Sequence, residues 1–171
     1  MNTAEQPEPK PHIVVIDDEP DTLEILKLYL TMFGFDVAGA LTGTAGLKQA
    51  EAQRPEAVVL DLMLPDMDGL EVCRILRQKL KTPRVPVIIL SARTGREDVQ
   101  KGYEAGATLY LKKPVDMEKL VEECRRVVAL GKHVTRPLVD QVADADAPAT
   151  GTSTPVKVPK KTKSIPDSPK S

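Results

Sequence analysis

Apolar residues alternate along this chain between short unbroken runs and longer stretches in which they recur every three or four positions. The runs are HIVVI at 12–16, FDVAGA at 35–40, AVVL at 57–60, VPVIIL at 85–90 and TLYL at 108–111. A continuous apolar run of this length suits a strand buried on both faces, so the pattern predicts five strands of a parallel sheet. Between the runs, Leu23, Leu26, Leu30 and Phe33 stand at helical spacing, and Leu120, Cys124, Val127 and Val128 repeat the stripe before Gly131. Pro20 suits a first helical position, and Asp68…Glu71 and Thr94…Glu97 have the spacing of capping boxes. TAGLKQAEAQ, after the second run, reads as a helix whose apolar face is mostly alanine. This alternation predicts a (βα)5 unit with right-handed crossovers, an α/β domain built on a doubly wound sheet. Ligand chemistry in such sheets gathers beyond the C-terminal strand ends.

Composition sets the limits of that unit. All five aromatics (Tyr29, Phe33, Phe35, Tyr103, Tyr110) fall between residues 12 and 131 of the 171-residue chain. Residues 1–11 are polar and proline-spaced, and residues 132–171 are rich in Pro, Thr, Ser, Lys and Ala. Both ends are therefore expected to be a disordered arm and a disordered tail, too poor in apolar surface to offset chain entropy. From 147 to 171 five lysines face one aspartate, which reads as a solvated linker or as a docking arm for nucleic acid or an acidic protein surface. The whole chain has 24 Lys and Arg against 25 Asp and Glu, a net charge of −1, so it carries no general bias toward nucleic acid or an anionic membrane. No apolar run is long enough for a membrane span or a secretory signal, and Cys73 and Cys124 stand singly in apolar stripes, which predicts reduced core thiols in a cytoplasmic protein.

The polar residues that close the predicted strands carry the candidate chemistry. The first strand runs into Asp17, Asp18 and Glu19, the third into Asp61, the fourth into Ser91, and the fifth into Lys112, Lys113 and Pro114. Carboxylates side by side at the mouth of a buried sheet resist each other's charge unless a cation neutralises them. Three aspartates converging there call for a hard divalent ion, and Mg²⁺ fits carboxylate, carbonyl and water oxygens beside a phosphate. A lysine and a hydroxyl from neighbouring strands would supply the remaining contacts to phosphoryl oxygens. Asp66 and Asp68, in LPDMDG, read as turn and N-cap residues, and Lys112 as a solvated neighbour; His12 and His133 lie outside any metal-ligand spacing.

HIVVIDDEP, VVLDLMLPDMDG, VIILSAR and YLKKP, in this order and each closing a predicted strand, resemble the four signatures of the receiver domain of two-component response regulators. The resemblance covers about 120 residues, 12–131. It implies a flavodoxin-like three-layer sandwich with parallel sheet order 2-1-3-4-5, similar to the chemotaxis regulators. It further implies Asp61 as the phospho-acceptor, Asp18, Asp61 and the Met63 carbonyl as Mg²⁺ ligands, and Asp17 as the residue orienting metal-bound water. Lys113 takes the place of the phosphate-contacting lysine with a cis bond to Pro114, and Ser91 and Tyr110 take those of the conformational pair. Thr108 and Leu109 stand where the family often has an acidic pair.

The expectation is then a single-domain switch that catalyses only its own phosphorylation and dephosphorylation. It would accept phosphate from a sensor histidine kinase or a histidine phosphotransfer protein, and signal through its fourth helix, fifth strand and fifth helix. No recognisable DNA-binding or other output module follows residue 131, so the expected partners are a separate downstream protein, no DNA-binding domain and no membrane, in a monomer or a phosphorylation-dependent dimer. Two other classes fit less well. A metal-dependent phosphatase with an aspartyl nucleophile needs an acid two residues later, where Met63 stands; a phosphorylation-independent scaffold would have lost one of Asp17, Asp18, Asp61, Ser91 or Lys113.

Overall fold

The computed structural model describes residues 9–79 and 85–131. The elements follow in strict alternation: β1 (His12–Ile16), α1 (Pro20–Met32), β2 (Asp36–Ala40), α2 (Gly43–Gln53), β3 (Ala57–Asp61), α3 (Gly69–Lys79), β4 (Val87–Ser91), α4 (Arg96–Glu104), β5 (Leu109–Lys112) and α5 (Met117–Gly131). All four pairings are parallel and the strand order is 2-1-3-4-5. This is the expected flavodoxin-like architecture. The order reverses between β1 and β3, so Asp17, Asp18 and Asp61 leave the sheet on the two sides of the switch point.

Side-chain alternation splits the core into two layers. Ile13, Val15, Val59, Ile88 and Leu90 pack under α1 and α5, against Leu23, Leu26, Leu30, Leu120 and Cys124. Val14, Ile16, Val58, Leu60 and Ile89 pack on the other face with Ala50, Val72, Cys73 and Leu76. The alanine-faced α2 seats closely on β1 because Gly46 offers no Cβ to the Ile16 side chain. The cysteines lie in opposite layers, both buried, and burial pushes the Cys73 thiol up to about 11 and the Cys124 thiol up to about 12, which keeps them protonated. Among the described residues, no helix is long and apolar enough to cross a membrane.

Several local expectations shift. β3, β4 and β5 each run one residue past the apolar run, because ladder pairs such as Asp61↔Leu90 and Ser91↔Lys112 depend on the backbone and not on side-chain polarity. β4 begins only after Pro86, which accepts a bond from Val58 N–H but has no N–H to give. Phe33 leaves the buried stripe: α1 ends at Met32, and Gly34, at φ +95°, turns the chain so that Phe35 enters the core while Phe33 stacks on Tyr29 at 4.8 Å. The Thr94…Glu97 box does not form, since α4 starts one residue later, with Gly95 as N-cap and no side-chain cap bond. Asp68 does cap α3 through Leu70 N–H (2.9 Å), whereas Glu71 turns to Arg74. The proposed arm begins to pair before residue 12, with Pro11 O accepting from Asp36 N–H at 2.9 Å. Its first eight residues and the tail from 132 lie outside the described residues.

Candidate functional site

Each strand-end residue is held by its own backbone turn. Asp17, only 1 % exposed, accepts Glu19 N–H on Oδ1 at 3.0 Å, and Asp61, 7 % exposed, accepts Met63 N–H on Oδ1 at 2.9 Å. These bonds aim the two remaining Oδ2 atoms at each other across the switch point. Lys113 fills the space between them, with Nζ 2.7 Å from Asp17 Oδ2 and 2.5 Å from Asp61 Oδ2. Its position comes from the end of β5, where Lys113 N–H donates to Ser91 O at 2.9 Å and the Lys113–Pro114 peptide is cis. Asp18 stands exposed beside this pair, and one oxygen from each of Asp17, Asp18 and Asp61 lies within 4.8 Å of the others.

The electrostatics are unbalanced. Burial raises the Asp17 carboxyl above its ordinary value more than the Lys113 hydrogen bond lowers it. Burial alone would lower Lys113; the hydrogen bonds it donates to Asp17 and Asp61, together with their charges, outweigh it and hold the ammonium above its ordinary value. One lysine thus faces three carboxylates, and the excess negative charge opens onto a cleft of about 540 Å³ lined by Asp18, Met63, Asp66 and Arg93, among others. The donor set is hard and oxygen-only, which fits Mg²⁺ and not a thiophilic or imidazole-seeking metal.

The loop from β3 to α3 brings Met63 to this cleft. Gly69 makes the return possible: a Cβ there would meet Asp61 O and Leu62 Cα at 2.5 Å. Ser91 is fully buried at the end of β4, and its Oγ accepts Arg93 N–H at 3.1 Å. Tyr110 lies half-buried on β5 with its ring over Gly102 of α4, and its hydroxyl donates to Arg93 O at 2.6 Å. Ser91 and Tyr110 therefore meet through the main chain of Arg93, a residue that sequence reasoning passed over; its place two residues after a strand-end serine was the available signal. The other omission is Arg77. It organises the approach to β5, donating to Gly106 O, Val85 O and Thr108 Oγ1.

Residues 13–125 match the family model of the response regulator receiver domain. The chain is 37 % identical over 118 residues to the DNA-binding dual master transcriptional regulator RpaA of Synechocystis sp., a match covering 69 % of this chain and 49 % of that protein. It is 42 % identical over 122 residues to the transcriptional regulatory protein AfsQ1 of Streptomyces coelicolor, covering 71 % and 53 % respectively. Among solved structures, a CheY-like response regulator receiver domain protein from Methanospirillum hungatei JF-1 aligns at a TM-score of 0.69 with 26 % identity, over 72 % of this chain and 98 % of that one.

These relatives overturn the expected partners. The expectation of output to a separate protein, with no DNA-binding domain, rests on the sequence after residue 131. The chain spans about half the length of the curated relatives it matches, and those relatives are transcriptional regulators, one of them described as DNA-binding. A net charge of −1 describes the surface of this stretch alone. It carries no information on a module joined covalently elsewhere.

Proposed function

Since the chain belongs to the response regulator receiver domain family, we propose that it is a cytoplasmic phospho-acceptor switch that takes a phosphoryl group on Asp61 from the phosphohistidine of a sensor kinase. The observation that carries this reading is the convergence of Asp17, Asp18 and Asp61 at the switch point, with Lys113 bridging Asp17 and Asp61. Asp61 is the acceptor because it stands where the family signature places that residue and because, of the two carboxylates held alike by a backbone N–H and Lys113, it is the more accessible, 7 % exposed against 1 % for Asp17. A carboxylate attacking phosphorus yields an acyl phosphate and releases the donor imidazole, dividing the transfer into two easier steps. Lys113 would leave its bridging position to neutralise the incoming oxygens. Asp18, Asp61 and the Met63 carbonyl would hold Mg²⁺, with Asp17 orienting metal-bound water, and the ion when bound offsets charge on the transferring group. Ser91 would then give its hydroxyl to the phosphoryl group, loosening the Arg93 main chain and with it the Tyr110 hydroxyl, so that the surface of α4, β5 and α5 changes. Such a coupling is worth about 1–3 kcal/mol. The chain's chemistry is limited to its own phosphorylation and dephosphorylation.

The test is intact mass after incubation with acetyl phosphate and Mg²⁺. The parent gains one phosphoryl group, chelator removes the gain, and Asp61→Asn abolishes it. An undiminished gain in Asp61→Asn excludes the assignment.

A further inference from the structure

The loop between β3 and α3, residues 62–68, is fastened at its root and again at its tip. At the root Met63 and Asp68 pair as an antiparallel bridge, and Gly69 N–H donates to Leu62 O at 3.0 Å. At the tip Asp66 reaches a different element: its Oδ1 accepts Gly43 N–H at 2.8 Å and its Oδ2 accepts Thr44 N–H at 2.9 Å. These are the first two residues of α2, whose N–H groups have no partner inside the helix. Thr42 Oγ1 takes the next one, Ala45 N–H, at 3.2 Å, so the first turn of α2 is shared between its own cap and a carboxylate from the loop. The approach is close. A Cβ on Gly43 would meet Met67 Cγ at 2.5 Å and Val72 Cγ2 at 2.8 Å. The bonds to Thr44 and Gly43 pull the Asp66 carboxyl down to about 2, so it is ionised at every working pH.

A helix start bonded to a carboxylate is ordinary by itself, but this carboxylate belongs to the segment that carries Met63. Asp66 lines the same cleft as Asp18, Met63 and Arg93. We propose that Asp66 is a positioning residue: by strutting the β3–α3 loop against α2, it sets where the Met63 carbonyl stands relative to Asp18 and Asp61, and so sets the affinity for Mg²⁺. This rests on reading the acidic cluster as a Mg²⁺ site. The strut runs both ways, since a loop drawn in by the metal pulls on Gly43 and Thr44. The start of α2 therefore senses occupancy of a site that it does not touch.

Amide NMR of Asp66→Ala and Asp66→Asn separates the strut from the metal reading. In metal-free protein, hydrogen-exchange protection of Met63 N–H falls in Asp66→Ala, because its bond to Asp61 Oδ1 depends on the placement of the loop. On titration with MgCl₂, the dissociation constant rises about tenfold in Asp66→Ala, the scale of loss on removing an outer-shell partner. Asp66→Asn, which keeps one neutral acceptor, falls between variant and parent. The Mg²⁺-dependent shifts of the Gly43 and Thr44 amides, present in the parent, vanish in Asp66→Ala. Parental protection and parental affinity in Asp66→Ala, or in Asp66→Asn if the alanine variant does not fold, overturn the strut. A parent with no Mg²⁺-dependent shift overturns the metal reading instead, and the metal-free protection then decides on the strut by itself.

Discussion

The two ends of the sheet handle charge in opposite ways. At the N-terminal end, among the described residues, Arg77, His12 and Thr108 each meet partners that answer them. Arg77 spreads its guanidinium over Gly106 O, Val85 O and Thr108 Oγ1, and the ring nitrogens of His12 lie 2.9 Å from Asp36 Oδ2 and 2.8 Å from Gln53 Oε1. Thr108 in turn accepts Val87 N–H at 3.2 Å, tying the starts of β4 and β5 together. At the C-terminal end, three carboxylates crowd together, two of them almost fully buried and bridged by one lysine. A fold selected for stability alone would not assemble such a cluster. Closed networks mark where the molecule is held together, and the excess of like charge marks where it acts.

That contrast breaks most readily at Lys113. Lys113→Ala leaves the buried pair Asp17 and Asp61 without their cation, and the rate of phosphorylation by acetyl phosphate is expected to fall about a hundredfold; a rate within a factor of two of the parent would place the essential cation elsewhere. At the opposite end, Arg77→Ala strands three acceptors and is expected to cost about 2–3 kcal/mol in urea unfolding, while the folded fraction is phosphorylated at the parental rate. Arg77→Lys recovers only part of that loss, since an ammonium cannot reproduce the guanidinium fork. Asp18→Ala sharpens the comparison further. In chelator its stability should equal the parent's or exceed it by up to about 1 kcal/mol, because like charge is relieved, yet its Mg²⁺ titration should weaken. An unchanged titration means that Asp18 is not a ligand.

The smallest effect concerns Asp66 and pH. Its folded value, about 2, lies below the ordinary 3.8, so its contribution is complete above the ordinary value and is lost as pH falls through about 2. Urea midpoints taken from pH 5 to pH 2 should therefore fall more steeply in the parent than in Asp66→Asn. Parallel curves would show that the carboxylate adds nothing to the fold.

The strands and the site were legible in the sequence for one shared reason. A strand buried on both faces must be continuously apolar, so the first polar residue after each run stands at the sheet's rim; Asp17, Asp61 and Ser91 were found in this way. Contacts set by loop packing left no such trace. Asp66 reads as a turn residue in LPDMDG, and nothing local announces that its partners are Gly43 and Thr44. Arg77 is set by its partners Gly106, Val85 and Thr108, eight to thirty-one residues away, which no local pattern announces. Phe33 and Phe35 are equally apolar, and the turn at Gly34 decides which of them is buried. The expected partners failed for a different reason: charge and composition describe this sequence alone, whereas the transcriptional regulators it matches are covered over only about half their length.

The central claim is that Asp61, and neither of its acidic neighbours, is the group that takes the phosphoryl. An aspartyl phosphate can be reduced by borohydride to the corresponding alcohol, which marks the acceptor permanently. After incubation with acetyl phosphate and Mg²⁺ followed by reduction, peptide mass mapping should find the mark at position 61 alone, and chelator should prevent it. A mark at Asp17 or Asp18, or none in the Mg²⁺-loaded parent, would contradict the account.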